Sequence, residues 1–160
     1  MAHIVLVALL NILKCIVSFY LVFYVVISLA FGAFKLSWFD VRMPFDHVTF
    51  LDFSKCCSSY TDHQLANLVS VQLTYFLSTW VITFFIQTQV WNVAIIITIL
   101  HTILSSVVML SFPINWSWWV SLFFGMVLMI FLGELVCYCR RNQGQAKVMF
   151  FTKQEENDSE

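Results

Sequence analysis

CIVSFYLVFYVVISLAFGAF, residues 15–34, is a run of 20 residues without a charged side chain. A helix that crosses the hydrocarbon core of a bilayer needs about 20 apolar residues, so this run can span a membrane alone. It is longer than the apolar centre of a signal peptide, and the 13 residues before Lys14 hold no Lys or Arg. We therefore expect an uncleaved transmembrane helix within residues 1–34. Its N-terminal segment either lies in the membrane interface or extends the helix.

Three further apolar runs follow, at about 65–86, 90–110 and 116–138. The break at 87–89 is short and uncharged, and Pro113 separates the last two runs because proline ends one helix and can begin the next. The sequence therefore predicts an all-α, polytopic membrane protein that folds as a four-transmembrane-helix bundle over residues 1–34 and 64–138.

The composition excludes several classes of protein. Of 160 residues, 61% are hydrophobic and only 11% are charged, whereas soluble domains carry about 25% charged residues. There is too little polar sequence to solvate a compact globule, which argues against a cytosolic enzyme or a disordered regulator. A net charge of -1 offers no basic field for a nucleic acid. The lipid bilayer is the expected surrounding, in a plasma membrane or an endomembrane.

Two polar segments flank the spans. Residues 35–63 hold four aspartates and two histidines and predict an extracellular or lumenal loop, whose aromatic residues pack back on the bilayer or the helix ends. Residues 139–160 predict a cytoplasmic tail with a disordered acidic end. Five basic residues lie on the side of the termini and three on the side of the loop, which favours both termini in the cytoplasm.

His101 lies near the middle of the third span, where an ionisable side chain is costly and normally faces the bundle interior. If the short turn makes the second and third helices antiparallel neighbours, their polar stripes face each other. The predicted intramembrane polar cluster consists of Gln72, Tyr75, Thr79, Thr98, His101, Thr102 and Ser105. Two interpretations stay open: a polar path with His101 as proton relay or gate, or a neutral histidine that hydrogen-bonds neighbouring helices.

The fourth span carries small residues on one face: Ser117, Ser121, Gly125 and Gly133. Small side chains let helix backbones approach closely. The pattern fits packing inside the bundle and an interface with another subunit equally well.

Cysteine and acidic residues mark the end of that span. Cys137 and Cys139 lie beside Arg140 and Arg141, a setting typical of S-palmitoylation. Glu134 is the acidic residue of this span, and snorkelling to the interface or pairing with the arginines explains it. The cysteines show no zinc-ligand spacing, so we predict no metal and no cofactor.

Several ordered segments resemble the vertebrate transmembrane protein 244 family. They are Pro44-Phe45-Asp46, Leu73-Thr74-Tyr75-Phe76, Val90-Trp91, Thr98-Ile99-Leu100-His101, Val108-Met109-Leu110, Phe112-Pro113 and Trp118-Trp119. The aromatic-rich first span also fits, so the resemblance extends from the first span to the start of the fourth. It implies a small multi-pass membrane protein without an assigned activity, and it transfers no catalytic residue.

The sequence favours a non-enzymatic function, since it contains no G-x-S-x-G, H-E-x-x-H, G-x-G-x-x-G or phosphate-loop motif. The preferred hypothesis is a small accessory or assembly subunit that associates with itself or with a larger membrane protein. The alternative is a small channel or transporter with a polar path around His101.

Overall fold

The computed structural model describes residues 2–36, 40–51, 53, 61–86 and 89–158, and their side chains from Leu6 to Gln145 and at Met149. The helices are α1 (Ala2–Ala33), α2 (Asp62–Phe85), α3 (Val90–Val108) and α4 (Trp116–Asp158), with a short 3₁₀ helix at Met43–Phe45. Each of the four α-helices contains a segment long and apolar enough to cross a membrane. The predicted all-α membrane bundle is confirmed.

Local sequence explains where the helices begin. At α2, the Thr61 hydroxyl accepts from the Gln64 amide at 3.4 Å, and the Gln64 side chain accepts from the Thr61 amide at 3.1 Å. This reciprocal pair satisfies two amides that the first turn cannot pair by itself. At α4, the Asn115 side chain accepts from the Ser117 amide at 3.1 Å. At the start of both helices, polar side chains therefore accept hydrogen bonds from backbone amides that have no partner within the helix.

The order of the helices around the bundle differs from the expectation. The close backbone contacts run from α1 to α2, from α2 to α4 and from α4 to α3, with a looser contact between α3 and α1. Thus α2 and α3 lie diagonally across the bundle, although a short turn joins them. Glycines of α4 allow this order, because Gly125 lies against the Tyr75 ring of α2 and Gly133 against Val90 of α3. A larger side chain at either position would hold the helices apart.

The core lies along the bundle axis and is formed by large apolar side chains from all four helices. Its fully buried members include Phe19, Phe23, Ile27, Tyr75, Ile82, Ile97, Leu122 and Met129. Other large apolar residues point outward, for example Leu29 and Phe131, both 69% exposed. Such a surface is stable in lipid and not in water. The inside-to-outside pattern is that of a membrane bundle.

Residues 40–51 fold back onto the end of the bundle opposite the termini, and we call them the strap. Phe50, Leu51 and His47 of the strap are each at most 3% exposed. The aromatic residues of the predicted loop 35–63 that the structure describes thus pack onto the helix ends. Trp38 and the pair Cys56-Cys57 lie outside the described residues.

Both chain ends are more helical than expected. Helix α1 continues to Ala2, so the N-terminal segment extends the helix rather than forming a separate interfacial piece. Helix α4 continues to Asp158, into the predicted tail 139–160. Residues 142–158 include three Gln, two Lys and two Glu, which favour helix and let α4 extend beyond its apolar part.

Candidate functional site

His101 lies in a box of aromatic rings in the middle of the bundle and is 1% exposed. Its ring centroid is 5.6 to 6.3 Å from the rings of Phe19, Tyr20, Phe23, Phe45 and Trp118. Phe45 of the strap and Trp118 of α4 are close to parallel with the imidazole, at 28° and 26°. The imidazole is therefore held between a loop residue and a helix residue, out of contact with solvent.

The polar contacts of His101 are few. Its Nδ1 lies 3.4 Å from the Tyr20 hydroxyl of α1, while its Nε2 has no hydrogen-bond partner among the described residues. One turn along α3, the buried Ser105 hydroxyl is also without a partner in that set. A buried polar atom without a partner is destabilising, and Gln72 Oε1 of α2 is a further such atom among the described residues.

Tyr75 and Thr98 form a hydrogen bond between the polar stripe of α2 and that of α3. The two hydroxyl oxygens are 3.1 Å apart, and Thr98 also donates to the Ala94 carbonyl at 2.8 Å. Since the single hydroxyl proton of Thr98 is used on its own helix, Tyr75 is the donor between helices. This bond crosses the bundle and fixes the relative depth of α2 and α3.

Gln72 bonds to α4 instead of α3. Its side-chain nitrogen donates to the Ser121 carbonyl at 2.9 Å and to the Ser121 hydroxyl at 2.8 Å. Thr79 and Thr102 donate to carbonyls of their own helices, at 2.7 and 3.0 Å. Such back-bonds satisfy a hydroxyl within one helix.

The predicted polar cluster therefore divides into separate pairs. His101 contacts Tyr20, Tyr75 contacts Thr98, and Gln72 contacts Ser121. Among the described residues, no hydrogen bond links these pairs into a chain. Phe19 lies between two of them, with its ring 5.3 Å from Tyr75 and 6.1 Å from His101.

The strap supplies site residues that sequence reasoning missed. His47 bonds with one ring nitrogen to the Phe45 carbonyl at 3.3 Å and with the other to the Ser111 hydroxyl at 3.2 Å. Because a carbonyl only accepts, Nδ1 of His47 carries a proton. Its ring also packs 5.7 Å from Trp118. The aromatic content of the loop was the available signal, but it did not say which residues enter the bundle.

Hydrogen bonds from the helices hold the strap in place. The Asn67 side chain donates to the Asp46 carbonyl at 3.0 Å, and the Asn115 side chain donates to the Phe50 carbonyl at 3.2 Å. Just beyond the strap, the Phe53 amide donates to the Ser117 hydroxyl at 3.0 Å. Contacts from both α2 and α4 thus fix the position of Phe45 over His101.

The small residues of α4 pack inside the bundle. Ser117 and Ser121 are at most 3% exposed and bond to Phe53 and Gln72. A Cβ built on Gly125 would come within 2.6 Å of the Tyr75 ring, and one on Gly133 within 2.5 Å of Val90. Of the two readings of this face, the geometry supports internal packing, which leaves it unavailable to another subunit.

The two cysteines near the end of the fourth span differ in accessibility. Cys137 is 2% exposed and its sulfur lies 3.9 Å from the Ile86 carbonyl, while Cys139 is exposed. An acyl transferase can reach an exposed thiol, so Cys139 is the better candidate for palmitoylation.

Nearby, Arg140 donates to the Thr83 carbonyl at 2.9 Å and covers the Phe84 ring at 5.0 Å. A cation at the C-terminus of α2 is favourable for the helix dipole. Glu134 Oε1 has no hydrogen-bond partner among the described residues.

Comparison with known proteins gives a match to human transmembrane protein 244. The sequences are 34% identical over 110 residues, which is 69% of this chain and 81% of the human protein. No known family profile matches the chain. No solved structure matches it.

Proposed function

The chain belongs to the transmembrane protein 244 family, and for this multi-pass membrane protein we propose a non-catalytic function as an accessory subunit that assembles with a larger membrane protein. The observation that carries the proposal is the length of α4, which continues to Asp158. At 1.5 Å per residue its 43 residues extend about 64 Å, roughly twice the hydrocarbon core of a bilayer.

The part of α4 beyond Arg140 forms an arm that leaves the bundle. Residues 141–145 are all exposed, and nothing lies within 4 Å of a Cβ built on Gly144. Helices stand alone poorly in water, since most helical stability in proteins comes from packing. These features support the arm as the element that binds a partner.

The bundle interior supports a packing role over a catalytic one. Its polar side chains bond in pairs or to their own helices, as with Tyr75 and Thr98 or with Gln72 and Ser121. Pairs of this kind connect helices and fix their register.

A second candidate function is a small channel with a path through His101. It is favoured by the partnerless Nε2 of His101 and the partnerless hydroxyl of Ser105, which lie one turn apart on α3. The aromatic rings around His101 argue against it, because a conducting path needs polar or hydrated walls.

The test is purification of the full chain from native membranes in mild detergent, followed by particle mass and identification of proteins present in stoichiometric amount. We expect a larger membrane protein to co-purify with the full chain. A chain truncated after Gln145 should fold and lose that protein, whereas the control Asn142→Ala and Gln143→Ala double variant should retain it. A particle of this chain alone, with the same number of copies before and after truncation, contradicts the accessory role. If liposomes that contain such particles show ion flux, the channel becomes the preferred function.

A further inference from the structure

A groove of about 680 Å³ opens between α1, α3 and the end of α2, at the end of the bundle that carries the termini. It exists because α1 and α3 are the neighbouring pair with the loosest contact. At the opposite end the strap fills the space between these two helices, and at this end no described segment does so. The volume lies in the range of ligand sites, which is about 300–1,000 Å³.

The walls of the groove are apolar and one edge is polar. Ile12 of α1 and Val93 and Ile96 of α3 line its apolar part. The polar edge has three side-chain amides, those of Asn11, Gln89 and Asn92. Asn92 donates to Gln89 at 3.2 Å, which orients two of the three amides. No charged side chain is among the described residues that line the groove, and Lys14 lies one turn of α1 away from Asn11.

The groove begins at the membrane interface and continues into the hydrocarbon layer. Helix α2 ends at Phe85 and α3 begins at Val90, so Gln89 lies where the chain turns at the bilayer boundary. Trp91 is 47% exposed at the same level, as expected for a residue of the interfacial aromatic belt. Ile96 lies nearly two turns deeper along α3. An occupant would therefore have its polar end at the interface and its apolar body among lipid chains.

We propose that this groove binds a sterol, with the hydroxyl at the amides of Asn11 and Asn92 and the ring system against Val93 and Ile96. Side-chain amides both donate to and accept from a hydroxyl. The lining holds no cationic side chain to pair with the charge of a phosphate, which disfavours a phospholipid headgroup. A rigid ring system loses less conformational freedom on binding than a flexible acyl chain, so it gains more from an apolar groove of fixed shape.

The experiment uses the full chain in liposomes of phosphatidylcholine with a photoreactive cholesterol analogue, and measures cross-linking with peptide mapping. We expect labelling on α1 and α3 near Ile12 and Ile96, competed by unlabelled cholesterol. Ile96→Trp fills the groove and should reduce labelling at least about fivefold. The matched control is Ile99→Trp, one turn away on α3 at a position 54% exposed, which should label as the natural chain does.

Folding of each variant is judged by a single symmetric peak in size-exclusion chromatography. If Ile96→Trp does not give such a peak, a second variant keeps the test valid. Asn92→Leu removes a hydrogen-bonding group at the edge and should reduce labelling about threefold to tenfold, the value of one hydrogen bond. Equal labelling of the natural chain, Ile96→Trp and Ile99→Trp overturns the proposal. Competition by diacylglycerol or phosphatidylserine as effective as that by cholesterol also overturns it, and points to another lipid. Neither result depends on the arm of α4.

Discussion

Compared with the end of the bundle that carries the termini, the opposite end is closed by many specific contacts. There the strap buries His47, Phe50 and Leu51 and is bonded to α2 through Asn67 and to α4 through Asn115. At the terminal end, α1 and α3 leave a groove and α4 projects beyond the helices around it. The closed end has the interactions that stabilise the fold, and the open end has the groove and the exposed residues 141–145 of α4.

Replacement of one tryptophan at each end should give the largest difference between them. Trp118 is 2% exposed and packs against both His47 and His101, so Trp118→Ala should cost about 3–5 kcal/mol of unfolding free energy. Trp91 is 47% exposed at the open end, and Trp91→Ala should change stability by about 0.5 kcal/mol or less. Thermal unfolding in detergent measures both. Equal losses would contradict the comparison.

Glycines along α4 should show the same gradient from bundle to arm. Gly125→Ala places a methyl group within 2.6 Å of the Tyr75 ring and should cost about 1–3 kcal/mol. Gly144→Ala lies in the arm with nothing within 4 Å, and should leave the unfolding midpoint of the bundle unchanged. Thermal unfolding in detergent measures both variants. A lower unfolding midpoint for Gly144→Ala would show that the arm packs on the bundle.

Removal of one bond to the strap should loosen it without unfolding the bundle. Asn67→Ala deletes the donor to the Asp46 carbonyl and should cost about 1 kcal/mol. Hydrogen exchange of the amides in residues 40–51 should become faster, while exchange in α2 and α4 stays slow. Asn142→Ala, an exposed change in the arm, is the control. If exchange in the strap is unaffected, other contacts hold it.

The two buried histidines should give the smallest and most instructive difference. His101→Leu loses one long contact to Tyr20 and removes a partnerless nitrogen, so its cost should be about 0.6 kcal/mol or less. His47→Leu loses two bonds and should cost about 1–2 kcal/mol. The thermal unfolding assay ranks them. A normal fold of His101→Leu with loss of a pH-sensitive ion flux would favour the channel.

The sequence alone predicted the four membrane-spanning helices, because each of them contains a continuous run of apolar residues. It also predicted that His101 is buried, since an ionisable residue in a span rarely faces lipid. It could not predict the partners of His101, because Tyr20 lies 81 residues away in sequence and Phe45 belongs to a loop. No local pattern records such distant contacts.

The predicted order of the helices around the bundle was wrong, although the glycines that explain the observed order are visible in the sequence. A short turn at 87–89 suggested that α2 and α3 are adjacent, yet Gly125 and Gly133 allow α4 to lie between them. The small residues of α4 were recognised as a packing face without their partners, Tyr75 and Val90. The continuation of α4 was not predicted, because the acidic, polar residues 155–160 favour disorder, whereas the Gln, Lys and Glu residues after Arg141 favour helix.

The position of α4 between α2 and α3 has a consequence for biosynthesis. Of the four helices, the one that joins the other two is synthesised after them, so the first three enter the membrane with their contact faces incomplete. Until α4 arrives, Gln72 has no Ser121 to bind and Tyr75 has no Gly125 beneath its ring. A chain that stops before Trp116 leaves the side-chain amide of Gln72 without its partner on α4. The side-chain contacts between α2 and α4 therefore form only after the fourth helix has entered the membrane.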